Sequence, residues 1–249
     1  MTVTDPAHRQ HTYAVRLDWG PVGAEAIGPV DIAVVVDVLS FTTTLTVAVE
    51  RGIEVHPFAW KDERARAYAA ERDAVLAVQR QDAAGATGGV SLSPVSVARA
   101  DGIRRLVLPS PNGSSISALL ADSGALVVGA CLRNRRAVAD WLAPRVAAGE
   151  TVAVIPAGER WPDGSLRPAI EDLWGAGAVL EALGSADLSP EAGAAVAAFR
   201  AADLPGGLVS CSSGRELAAR GFGGDVDMAG DLDASAVVPL LRDGVFGSG

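Results

Sequence analysis

Asp37 stands at the end of the apolar run Ile32 to Val36, and a run of three threonines, Thr42, Thr43 and Thr44, follows shortly after it. A carboxylate at a strand end can hold a cation or move a proton. A hydroxyl-rich turn that opens a helix can hold an anion, because the helix N-terminus offers free N–H groups and partial positive charge. A plainer reading has the acid simply capping the next helix. The pattern recurs at PSPNGSS, Pro109 to Ser115. There Asn112 and Gly113 suit a tight turn, and Ser114 and Ser115 open a helix. Capping is again the plain alternative; the functional one is that this turn faces the same anion as the threonines. A third such turn, CSSGREL from Cys211 to Leu217, carries Arg215. The densest polar segment lies after Pro156. Glu159 leaves a strand, Trp161 and Arg167 follow in a loop, and Glu171 and Asp172 begin an apolar helix. Acids in a first helical turn suit the macrodipole. A strand-exit carboxylate joined to an arginine-bearing loop goes further and points to a site. Hard oxygen donors of this kind suit Mg²⁺, which takes one or two protein carboxylates together with waters and substrate oxygens.

These turns can share a cleft only if they sit at the carboxyl ends of strands in an open α/β sheet. The hydrophobic pattern supplies such strands at 13–19, 32–36, 53–58, 74–78, 105–108, 126–130, 151–155 and 207–210. Helical stretches at 61–72, 94–100, 135–147 and 188–202 lie between them. This alternation predicts an α/β fold with a largely parallel or mixed sheet. Residues 21–29 read as a connection and 79–93, rich in Gly and small polar residues, as a loop. The tail 225–246 reads as a peripheral helix and a closing strand or arm. A chain of 249 residues fits one compact unit, 1–249, with possible lobes 1–125 and 126–249.

The formal net charge of −9 argues against a broad nucleic-acid surface, which needs clustered positive charge. No apolar run reaches the roughly 18 residues of a membrane span, and the polar start lacks the pattern of a signal peptide, so a cytoplasmic protein is expected. Two cysteines, Cys131 and Cys211, make neither a disulfide framework nor a structural zinc site. Neither heads a cysteine-phosphatase loop, since Ala137 and Leu217 stand where the arginine belongs. Both are expected in the core or lining a pocket. A homodimer is possible.

Taken in order, VVVDVLSFTTT, SLSP, PSPNGSS, CLRNRRAVA, PAGE, EDLWGAGA and CSSGREL resemble the ComB family, the 2-phosphosulfolactate phosphatases, from about Val30 to Phe246. The resemblance implies an α/β fold of two related lobes with mixed sheets. It implies a Mg²⁺-dependent enzyme that releases phosphate from 2-phospho-3-sulfolactate, a step of coenzyme M synthesis in methanogens. By the same resemblance Asp37, Glu159 and Asp172 surround Mg²⁺, with Glu171 as an acid/base group or further ligand. Thr43, Thr44, Asn112, Gly113 and Ser114 hold phosphate, and Arg133, Arg167 or Arg215 holds the substrate's second anion. Asn134 matches the asparagine before the family's middle helix. Attack by water is favoured over attack by Asp37, because Leu39 stands where the haloacid-dehalogenase pattern has a second aspartate. The chain departs from the family in having Ser40 at an arginine slot and Gln79 at a glutamate slot. Two other readings stay open: a Mg²⁺-dependent hydrolase of another small phosphorylated acid, and a non-catalytic anion-binding relative.

Overall fold

The computed structural model describes residues 5–59, 63–78, 80, 89–185, 187–204 and 206–249. Gln79 and most of the expected loop 79–93 lie outside these residues. The elements run β1 (Val15–Leu17), α1 (Gly20–Ile27), β2 (Ile32–Val36), α2 (Phe41–Glu50), β3 (Glu54–Phe58), α3 (Glu63–Glu71) and β4 (Val75–Leu76). Next come α4 (Pro94–Arg99), β5 (Arg105–Pro109), α5 (Gly113–Asp122), β6 (Leu126–Ala130), α6 (Arg135–Ala147) and β7 (Val152–Pro156). A small hairpin of β8 (Glu159–Arg160) and β9 (Leu166–Arg167) precedes α7 (Ile170–Leu183), α8 (Pro190–Arg200), α9 (Gly206–Ser210), α10 (Ser212–Ala219) and α11 (Gly223–Ala229). The chain ends in β10 (Pro239–Arg242) and β11 (Val245–Ser248).

The fold is α/β, as the alternation of patterns predicts. Among the described residues one nine-stranded sheet has the order β1-β7-β2-β6-β10-β11-β3-β5-β4 and takes strands from both halves of the chain. Strand β2 is its centre of gravity: it runs parallel to both β6 and β7, with Val34 opposite Val128 and Val154. All five β2 residues are buried, as a continuous β-branched run requires. Successive side chains of a strand point to opposite faces, so β2 feeds two cores. Ile32, Val34 and Val36 pack among residues of α6, α7 and α8. Ala33 and Val35 pack with residues of α1, α2 and α5. Helices therefore cover both faces.

Two parallel groups, β1-β7-β2-β6 and β3-β5-β4, are joined by the antiparallel pair β10–β11. Four strands separate β2 from β5, yet the turns after these two strands touch: Gly113 N lies 3.1 Å from Asp37 Oδ2. The sheet must therefore bend back on itself, as accumulated strand twist allows. Helix α2 is enclosed by this bend, and every residue from Phe41 to Val49 is buried.

Three local expectations are corrected. Residues 21–29 form most of α1, where Pro21 stands in the first turn with its φ already helical. The run 207–210 is helix α9, not a strand, because so short an apolar run fits either. The tail forms a helix, α11, as expected, but its closing element is a pair of strands inside the sheet: Phe246 is fully buried and Pro239 is the first residue of β10, a position proline tolerates.

Helix α7 carries the acids Glu171 and Asp172, and its packing on α8 depends on a glycine. A Cβ on Gly177 would come 2.0 Å from the carbonyl oxygen of Ala195. Gly177→Ala is expected to destabilise the fold by about 3 kcal/mol, the upper range for overpacking. Gly193→Ala, on the facing helix in open space, is expected to be neutral or slightly stabilising. Urea unfolding of the two variants checks the contrast.

Candidate active site

The site begins with the turn after β2. Thr42 fixes this turn from inside α2: its Oγ1 accepts from Asp37 N at 2.9 Å and donates to Asp37 O at 2.8 Å. The Asp37 carboxylate is thereby aimed between two helix starts. Its Oδ1 accepts from Phe41 N at 3.0 Å, the first residue of α2, and its Oδ2 from Gly113 N at 3.1 Å, the first residue of α5. Asp37 does cap its own helix, and the same carboxylate also binds a second one 76 residues away.

Asn112, beside Gly113, donates from Nδ2 to Glu159 Oε2 at 3.0 Å. Glu159 opens the β8–β9 hairpin. Asp172, in the first turn of α7, closes the other side. Its Oδ1 accepts from Val38 N at 2.7 Å and its Oδ2 from Gly158 N at 2.9 Å. Glu171 is buried at 2 % exposure and faces the thiol of Cys211. Arg167, across the hairpin from Glu159, donates to Ser213 Oγ at 3.2 Å and lies over the Trp161 ring. Asp37, Asn112, Gly113, Glu159, Arg167, Glu171 and Asp172 thus meet at one place, from turns spread over much of the chain.

The electrostatics reflect this crowding. Burial, then the charges of Asp37 and Glu171, push the Asp172 carboxyl well above the usual range. Burial and the Asp37 charge push Glu159 up to about 7, against the opposing pull of Asn112 and Arg167. Burial, with Glu171 nearby, pushes the Cys211 thiol up to about 11, so it is a neutral packing group. Cys131 is likewise a buried free thiol, raised by burial.

Other expected site residues are placed differently. The hydroxyls of Thr43 and Ser114 donate to the carbonyls of Val38 and Leu108, at 2.7 and 2.8 Å. The Thr43 and Ser114 hydroxyls thus brace their turns, because a buried helix turns its hydroxyls to nearby carbonyls. Thr44 is fully buried, and its hydroxyl has no hydrogen-bond partner among the described residues. Asn134 accepts from Cys131 N and donates to the carbonyls of Gly129 and Val237, so its amide ties β6 to the tail. Arg133 is engaged by Asp231 and the Met228 carbonyl. Arg215 is exposed on α10. Two residues outside the expected site set also make contacts here: Ser213, within the CSSGREL turn, and Arg80, which stands beside Gln79 after β4 and reaches Ser40 Oγ at 2.7 Å.

Among the described residues no group of three or more His, Cys, Asp or Glu is arranged to hold a metal ion. The donor chemistry nevertheless fits Mg²⁺, which binds one or two carboxylates and keeps several waters. The charges of Asp37 and Glu171 disfavour the charged forms of Glu159 and Asp172, and a divalent cation would relieve that repulsion.

Comparison with known proteins gives the family. A family described as 2-phosphosulpholactate phosphatase matches residues 24–244. The chain belongs to this family. A relative in Deinococcus radiodurans, named probable 2-phosphosulfolactate phosphatase, is 33% identical over 226 residues, covering 86% of this chain and 89% of the relative. A relative of the same name in Thermus thermophilus is 32% identical over 240 residues, covering 92% and 95%. The names are those of phosphoric monoester hydrolases. The resemblance drawn from the ordered motifs is therefore a true family relationship. Among the described residues no helix is long and apolar enough to cross a membrane.

Glu159 gives this member of the 2-phosphosulpholactate phosphatase family a testable pH response. Its folded value of about 7 exceeds the ordinary 4.5. Between those values the unfolded chain has released a proton that the native state still holds, so stability falls as pH rises from 4.5 to 7. The expected loss is roughly 3 kcal/mol at most. Thermal scans of wild type and Glu159→Gln check this; the variant should lose the share of the pH dependence that Glu159 contributes and keep the share of Asp172.

Proposed function

We propose that the protein hydrolyses the phosphate monoester of a small 2-hydroxy acid, 2-phospho-3-sulfolactate or a close analogue, to the hydroxy acid and inorganic phosphate, with Mg²⁺. The observation that carries this reading is the meeting of Asp37, Gly113, Asn112 and Glu159 beside Glu171 and Asp172. The names of the relatives supply the substrate class.

Asp37 and Asp172 would hold the ion, which would supply positive charge to the phosphoryl oxygens. The other roles fall to the chain's own groups. Beyond Gly113, the first-turn N–H groups of α5 have no acceptor within the helix and orient phosphoryl oxygens. Arg167 faces a further acidic group of the substrate. Water is the attacking group: both Asp37 oxygens accept main-chain hydrogen bonds, which hold its electron density and weaken it as a nucleophile. The water oxygen bonds to phosphorus as the bond from phosphorus to the ester oxygen breaks. Glu171 takes the proton from water and Glu159, which titrates near neutrality, returns one to the departing alkoxide.

The test is phosphate release from a panel of phosphorylated 2-hydroxy acids, with Mg²⁺ and with EDTA. Release confined to acid-bearing esters and lost in EDTA supports the reading. Tight Mg²⁺-dependent anion binding without turnover replaces it with a binding protein.

A further inference from the structure

Arg80 lies just beyond the end of β4, yet its guanidinium reaches the turn that carries Asp37. Its Nη2 donates to Ser40 Oγ at 2.7 Å and its Nε to Asp225 Oδ2 at 3.0 Å. Ser40 immediately precedes Phe41, whose N–H binds Asp37 Oδ1. Asp225 is 2 % exposed, and its other oxygen accepts from Ser93 Oγ. One edge of the guanidinium is thus anchored by a buried carboxylate and a buried hydroxyl. An arginine has five N–H donors. Nη1 has no acceptor among the described residues, and the side chain keeps 18 % exposure. A fixed positive charge with a donor edge to offer therefore borders the acid-rich site.

A substrate with a phosphate and another acid brings several negative charges to four carboxylates. Among the described residues Arg167 and Arg80 are cations with contacts at the site's turns, whereas Arg133 is engaged by Asp231 and Arg215 is exposed on α10. We propose that Arg80 binds one of the substrate's two non-phosphoryl acidic groups, carboxylate or sulfonate, leaving the other to Arg167, and so sets a preference for acid-bearing phosphate esters. The kinetic consequence rests on the phosphatase reading; the binding consequence does not.

The kinetic test compares kcat/KM for 2-phospho-3-sulfolactate, 2-phospholactate and ethyl phosphate in wild type, Arg80→Gln and Arg80→Lys. Arg80→Gln should narrow the preference for the acid-bearing esters over ethyl phosphate by roughly 10- to 100-fold, mainly through KM, the size of a lost charged hydrogen bond. Arg80→Lys should fall between, since a lysine keeps the charge and loses the fork. A narrowing for both acids assigns the carboxylate, and one confined to 2-phospho-3-sulfolactate assigns the sulfonate. Equal losses on all three esters overturn the proposal, as does the same narrowing from Ser40→Ala, which would make Arg80 a positioning residue. Calorimetric titration with 3-sulfolactate and Mg²⁺ separates the two readings. Binding weakened at least tenfold in Arg80→Lys supports Arg80 even if wild type releases no phosphate. Binding equal in both overturns it. Arg80→Gln leaves Asp225 buried and unpaired, so if that variant fails to fold, Arg80→Lys decides.

Discussion

Asp37→Asn is expected to lower phosphate release by on the order of 10³-fold or more, because it removes a charge from the centre of the site and several kcal/mol of electrostatic stabilisation with it. The structure adds a second consequence. Both carboxylate oxygens accept main-chain N–H groups, from Phe41 and Gly113. An asparagine must present its amide nitrogen to one of them, so donor meets donor. The expected stability loss is about 1–3 kcal/mol. The two effects are separable: circular dichroism should show a folded variant below its lowered Tm, and phosphate assays at that temperature should show it inactive. Activity within tenfold of wild type would place the chemistry elsewhere. Mass spectrometry of wild type quenched during turnover should find Asp37 unmodified, as attack by water requires.

Gly113→Ala is expected to be as damaging from the opposite side of the same contact. A Cβ there would stand 2.2 Å from Phe41 Cδ1, 2.6 Å from Phe41 Cγ and 2.8 Å from Asp37 Oδ2. Phe41 is fully buried with its ring edge against Phe246, so it has little room to yield. The start of α5 must retreat, and the bond from Gly113 N to Asp37 lengthens or breaks. Asn112 moves with it and loosens its hold on Glu159. A destabilisation of about 3 kcal/mol is expected for this overpacking, with activity lost at temperatures where the variant remains folded. Gly223→Ala, in open space at the start of α11, is the control and should behave as wild type. A fully active Gly113→Ala would show that the contact between the two helix starts is dispensable.

The chemistry-bearing turns were legible because each is a local pattern. The run Ile32–Val36 followed by Asp37 is a strand with an acid at its exit whatever surrounds it, and β2 has those bounds. Helix α6 follows the hydrophobic period from Arg135 to Ala147. Acids 171 and 172 begin α7, as the macrodipole favours. Less legible were the short runs in which composition fits two structures. The GLVS run is helical in α9, and the tail expected at the periphery supplies β10 and β11 in the middle of the sheet.

Which polar side chains face a ligand was not legible. Thr43, Ser114 and Asn134 sit in turns that invite a binding role, yet their hydrogen bonds go to main chain. Local sequence gives a hydroxyl its position on a helix; the surrounding burial decides whether it turns to a carbonyl or to solvent. The sequence by itself determined the strand–acid–turn–helix units and the family. Only the tertiary structure decided that Asp37 meets Gly113 and that Asn112 meets Glu159. Those meetings depend on a sheet that bends back on itself around α2 through the β10–β11 pair, and such closure arises from contacts between strands far apart in the chain.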